Sequence, residues 1–132
     1  MTSDKGGTAE MNSRDKGARG ERAVANFLKT YGYAARRGQQ FHGGADSPDV
    51  VGLPNIHIEV KFVEQLRLQQ AYEQSFRDAG DGEIPTVWHK RNREPLMVTL
   101  TAEDFMRIYM ASQYCREQTR DPYADMAKGM LE

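Results

Sequence analysis

Asp49, Glu59 and Lys61 are the residues whose types and spacing can do chemistry. Asp49 follows Pro48 at the start of one short apolar run, PDVVGL, and Glu59 sits midway along a second, IHIEVKFV. A turn at Pro54-Asn55 would pair the two runs as a hairpin and bring both carboxylates to the same end of a sheet. Such an oxygen pair suits a hard cation: magnesium takes one or two carboxylates, keeps several waters and accepts substrate phosphate oxygens. The ion would polarise a phosphodiester and support formation of the attacking hydroxide. Lys61, two residues after Glu59, projects from the same strand face about 7 Å further on. A lysine there can orient the attacking water, deprotonate it as the neutral amine, or stabilise charge in the transition state as the ammonium. Glu-x-Lys alone equally marks a solvated strand edge with a weak ion pair. The combination, following a basic segment, points to metal-assisted phosphodiester hydrolysis.

The elements that must position these groups follow from hydrophobic period. Ala23, Val24, Phe27, Leu28 and Tyr31 recur at helical spacing, which predicts a helix beginning near Asp15 or Gly20 and stopping at Gly32. Glu21 extends the apolar stripe of this helix, as either a third carboxylate for a metal site or a first-turn partner of the helix dipole. Tyr33–Arg37 can form a short strand, and a Gly-rich loop follows to Ser47. Residues 56–63 alternate, with Ile56, Ile58, Val60 and Phe62 on one face and His57, Glu59 and Lys61 on the other. Residues 65–79 read as a helix with Leu68, Ala71, Tyr72, Ser75, Phe76 and Ala79 on one side, ended by Gly80-Asp81-Gly82. Two strands, Pro85–His89 and Leu96–Leu100, flank a charged turn, and Thr101 caps a last helix with Glu103 and Asp104 in its first turn. The order of helix, three strands, helix, two strands, helix predicts an α/β domain with a mixed β-sheet flanked by helices.

Residues 1–13 read as a flexible tail, 14–113 as the nuclease domain and 114–132 as a partly ordered extension. The net charge of −1 hides an asymmetry. Residues 14–37 hold seven Lys or Arg against Asp15 and Glu21, a net of +5, whereas residues 62–132 hold nine basic against twelve acidic side chains. Phosphate binding depends on such local basic surface rather than on the total. No apolar run has the ~18–20 residues of a membrane span, and the N-terminus lacks a signal-peptide core, so a cytoplasmic home is expected. Cys115, the single cysteine, builds no disulfide framework and reads as a partly buried bystander.

The pattern Pro48-Asp49, then Glu59-Val60-Lys61, with Glu21 upstream, resembles the PD-(D/E)xK nuclease superfamily. Within it, KGARGERAVANFL, YAARR, PDVVGL and IHIEVK resemble the archaeal-type Holliday junction resolvases and their phage-encoded relatives, over roughly residues 14–110. That resemblance implies a restriction-endonuclease-like core and a homodimer that binds branched or four-way-junction DNA. It also implies paired incisions dependent on Mg2+, for which Mn2+ can substitute, in a bacterial or phage-infected cell. Position by position, Glu21, Asp49 and Glu59 match the metal-binding carboxylates, the Val60 carbonyl a further ligand, and Lys61 the catalytic lysine. Arg22, Arg36 and Arg37 match basic positions expected to hold DNA backbone; Arg19 is read with them, and Lys90, Arg91 and Arg93, clustered at a turn, could grip a second DNA arm or merely keep the turn soluble.

Weaker signals complete the reading. Gln39, Gln40, Phe41 and His42 could order over DNA, or Phe41 could plug the core. His57 either supports Glu59 from the same face or sits at the surface, Gln74 lies either near the metal or exposed, and Met97, Met106 and Met110 pack in the core or a dimer. The alternatives are a less selective nuclease of the same superfamily and a DNA-binding protein that does not cleave.

Overall fold

The structure, a computed structural model, describes residues 5–38 and 48–119, with 5–15 described as helix backbone alone. Eight elements follow one another: α1 (Lys5–Lys29), β1 (Arg36–Arg37), β2 (Val50–Val51), β3 (Ile56–Phe62), α2 (Leu68–Asp78), β4 (Ile84–Lys90), β5 (Met97–Thr99) and α3 (Ala102–Thr119). The α/β class and the order of elements are those the sequence predicts. The chain divides into two compact units, Met1–Leu100 and Thr101–Glu132.

In the first unit the five strands form one sheet in the order β1-β2-β3-β4-β5. Three pairings are antiparallel; β3 and β4 run parallel through seven residue pairs, from Ile56 opposite Ile84 to Phe62 opposite Lys90. A parallel pair needs a crossover, and α2 supplies it. The sheet is therefore mixed.

Helix α1 buries Val24, Ala25 and Leu28 against Ala35, Val50, Ile58 and Trp88, which together make the core. Ile58 is fully enclosed, which contributes about 1.5–3 kcal/mol for a side chain of that size. The buried stripe is narrower than the period suggested: Ala23, Phe27 and Tyr31 lie at the surface, although Phe27 meets Trp88 edge-on with ring centroids 6.2 Å apart. The helix ends as expected at Gly32, whose φ of +92° lets the Tyr33 N–H return to the Leu28 carbonyl. Its start at Lys5 is earlier than predicted, because Gly6, Gly7, Thr8 and Ser13 are poor helix formers without an apolar stripe.

The hairpin between β2 and β3 turns through Gly52 (φ +109°) and Asn55 (φ +66°). A Cβ on Gly52 would stand 2.4 Å from the Ala34 carbonyl oxygen, so only glycine lets β2 lie against the preceding segment. On the other face, α2 buries Ala71 and Ser75, and Ser75 Oγ donates to the Thr86 carbonyl at 2.9 Å. Leu68 and Phe76, expected on the buried side, are exposed, because the close approach to the sheet is made through small residues. Thr86 joins the strands: its Oγ1 donates to the His57 carbonyl at 2.7 Å and accepts from Trp88 Nε1 at 3.0 Å.

In the second unit α3 is capped as predicted, the Asp104 N–H donating to Thr101 Oγ1 at 3.1 Å. Arg107 pairs with Glu103 and Asp104 one turn back. Cys115 is exposed rather than partly buried, and Met97, Met106 and Met110 are exposed and so take no part in a core of this chain.

Candidate active site

Asp49 sits just before β2, where its N–H donates to the Ile58 carbonyl at 3.0 Å and so extends the β2–β3 ladder by one rung. Its Oδ2 accepts the Val60 N–H at 2.8 Å, which fixes the carboxylate between the two strands. Burial pushes the Asp49 pKa up to about 7; the Val60 N–H opposes that rise, and the neighbouring carboxylates Glu59 and Glu21 add to it. The Asp49 and Glu59 side chains are also hydrogen-bonded to each other. The hairpin thus brings the two carboxylates together, as the Pro54-Asn55 turn implies.

Glu59 is 1 % exposed, a costly position for a carboxylate. Its Oε1 lies 3.1 Å from Nε2 of His57, which is equally buried. Burial works against the charged imidazole, but the hydrogen bond and charge of Glu59, with Glu83 and Asp78 beyond, raise the His57 pKa above its ordinary value. Of the two readings of His57, the surface one fails: the residue is interior and bonded to Glu59. Strand alternation places it on the Glu59 side, and that side is covered by α2 rather than by solvent.

Glu21 reaches the site from α1, where its Oε2 accepts from Arg37 Nε at 2.8 Å. Arg37, expected on DNA backbone, is thus engaged with a site carboxylate; Arg22 and Arg36 are exposed. Lys61 is half-buried one step beyond Val60. A cavity of about 380 Å³ is lined by Glu21, Asp49, Glu59, Val60 and Lys61, and Gln74 reaches it from α2. All four residues expected to be catalytic, and the Val60 expected to lend its carbonyl, meet there. Of the two readings for Gln74, the one near the site holds.

Three carboxylates converging on one partly enclosed space repel one another, and that repulsion adds to the burial that raises the Asp49 pKa. A divalent cation among them would offset the repulsion, so the donor set Glu21, Asp49 and Glu59, all oxygen, fits a hard ion.

A second cavity, of about 610 Å³, is lined by Lys16, Arg19, Phe62, Lys90, Arg91 and Asn92. Lys16 and Phe62 line both cavities, so the cations adjoin the carboxylates directly. Gly20 makes this possible: a Cβ there would stand 3.0 Å from the Phe62 ring. Arg19, Lys90 and Arg91 were expected from sequence as DNA contacts; Lys16, counted there only within the basic segment, joins them because it lies one turn before Gly20. Gln39, Gln40, Phe41 and His42 lie outside the described residues.

The sequence matches no family model and no curated protein. Among solved structures it is similar to Hjc from Archaeoglobus fulgidus, a Holliday junction resolvase from an archaeal hyperthermophile. Identity is 30% over 64% of this chain and 72% of that one, with a TM-score of 0.50. The chain belongs to the Hjc family. The mixed five-stranded sheet flanked by helices fits the restriction-endonuclease-like fold of that family. Among the described residues no helix is long and apolar enough to cross a membrane.

Proposed function

We propose that this protein is a metal-dependent endonuclease that resolves four-way DNA junctions by paired incisions. The observation that carries this reading is the meeting of Glu21, Asp49, Glu59 and Lys61 in one cavity that opens beside a cation-lined one. Kinship with a Holliday junction resolvase supports the choice of substrate.

Glu21, Asp49 and Glu59, with the Val60 carbonyl, would hold Mg2+, for which Mn2+ can stand in. The ion supplies electrostatic activation of the phosphodiester. The Val60 N–H holds the Asp49 carboxylate in place before any ligand arrives, so little reorganisation is needed on binding. Lys61, on the same strand face as Glu59, either orients and deprotonates the attacking water or stabilises charge on the phosphorus oxygens. Water attacks phosphorus, the bond to the leaving strand oxygen breaks, and the phosphate remains on the other strand end. Lys16, Arg19, Lys90 and Arg91 neutralise the flanking phosphates, while Arg22 and Arg36 offer further cations on the exposed surface of α1 and β1. Two symmetric incisions require two such centres in a fixed relation, which a homodimer with two-fold symmetry supplies.

The test compares a four-way junction with linear duplex and single strands of the same sequences, each with Mg2+ and with chelator. Cleavage confined to the junction and abolished by chelator supports the proposal. Equal cutting of all three substrates would replace it with a less selective nuclease, and unchanged DNA throughout would leave a binding protein.

A further inference from the structure

Beside the carboxylate cavity, on the face of β3 that α2 covers, a second group of ligand-bearing side chains gathers. His57 and Glu59 from β3 and Asp78 from the last turn of α2 each present a donor atom, and these atoms all lie within 4.8 Å of one another. His57 Nε2 is taken up by its hydrogen bond with Glu59 Oε1 at 3.1 Å, which leaves Nδ1 as the nitrogen open to an ion.

Two further observations point to a cation. His57 is 1 % exposed, yet its Nδ1 has no hydrogen-bond partner among the described residues. Buried polar atoms are normally satisfied, so an orphan one calls for a ligand or a displaced partner. The group also sits at the C-terminal end of α2, where unpaired carbonyls concentrate negative potential. Glu83 adds a further negative charge acting on the same imidazole. Asp78 is only half-buried, which leaves the site a side open to solvent.

We propose that His57, Glu59 and Asp78 form a second divalent-cation site, adjoining the carboxylate cavity and sharing Glu59 with it. An imidazole among the donors favours Zn2+ or Co2+ over Mg2+, which prefers oxygen donors. An ion there ties the end of α2 to β3 and holds Glu59 in place. The inference does not depend on DNA cleavage, since the site is defined by its own three donors.

Metal-stripped full-length protein is titrated with Zn2+ by calorimetry, and with Co2+ while the visible absorption of the ion is recorded. The variants are Asp78→Asn, His57→Gln and Asp49→Asn. Expected is a Zn2+ site retained in Asp49→Asn and weakened at least tenfold by Asp78→Asn and by His57→Gln. The Co2+ bands should persist in Asp49→Asn and change or vanish in His57→Gln. Zn2+ should raise the unfolding temperature of wild type and Asp49→Asn but not of Asp78→Asn. Because Asp78 ends a helix and is partly exposed, its variant tests the site even if His57→Gln fails to fold. Binding that ignores both Asp78→Asn and His57→Gln, binding lost only in Asp49→Asn, or no binding to the folded protein would each overturn the proposal.

Discussion

Replacing Asp49 by Asn should stabilise the metal-free protein, increasingly so as pH rises from about 4 to 7. In the unfolded chain Asp49 titrates near 3.8; in the folded one burial and two neighbouring carboxylates hold it at about 7. The folded-state pKa is raised, so the contribution of Asp49 to stability is intact below pH ~4 and is lost as pH rises through 7. A shift of this size corresponds to roughly 4 kcal/mol at full ionisation, as an upper bound. Asn cannot ionise, and its amide oxygen can still accept the Val60 N–H now held by Oδ2. At pH 8 the Asn variant should therefore exceed wild type by about 2–4 kcal/mol, with the difference closing toward pH 5. Between these limits it should change by up to ~1.4 kcal/mol per pH unit, the slope for one proton. Urea unfolding in the presence of chelator, at pH 5, 6, 7 and 8, measures this directly. Taking the difference between the two proteins removes the titration of groups they share. Saturating Mg2+ should shrink the gap at pH 8, because the ion offsets the charge that Asn removes. Parallel curves for the two proteins, or a less stable Asn variant at pH 8, would refute the reasoning.

Lys16→Ala combined with Lys90→Ala should weaken junction binding and lower the slope of log affinity against log salt by about 1 for each lost phosphate contact. A salt series of gel-shift or anisotropy titrations reads the slope, and an unchanged slope would remove the cation-lined cavity from the DNA path. Thr86→Val deletes the bond to the His57 carbonyl at 2.7 Å and the acceptor of Trp88 Nε1 at 3.0 Å. It leaves two buried groups unsatisfied and should cost about 2–4 kcal/mol of stability. A loss below about 0.5 kcal/mol in chemical denaturation would show that those groups find other partners.

Much of the site was legible because strands and turns are local. Alternation along IHIEVKF placed Glu59 and Lys61 on one face, and Pro54-Asn55 announced the turn that returns Asp49 to Glu59. The Thr101 cap and the Gly32 stop were equally local and were correctly placed. What a single sequence hides is which face a distant element covers. His57 shares the Glu59 face, but only the crossover through α2 turns that face into an interior. The engagement of Glu21 by Arg37 depends in the same way on α1 lying beside β1, sixteen residues along the chain. Phe76 fitted the apolar side of α2 by period, yet the helix approaches the sheet through Ala71 and Ser75, and the larger ring is left outside. The early start of α1 escaped because residues 5–13 offer neither good helix propensity nor an apolar stripe.

The central claim is that Asp49, Glu59 and Lys61 act together on DNA. The measurement that tests it most directly is Mg2+-dependent cleavage of a four-way junction by wild type beside Asp49→Ala, Glu59→Ala and Lys61→Ala, with junction affinity measured in parallel without divalent ions. Wild type should make paired incisions, and each variant should bind the junction yet cut it at least a hundredfold more slowly, a loss of about 2.7 kcal/mol or more in transition-state stabilisation. Cutting at the wild-type rate by Asp49→Ala or Glu59→Ala would contradict the account, because the cation would then have to be held elsewhere.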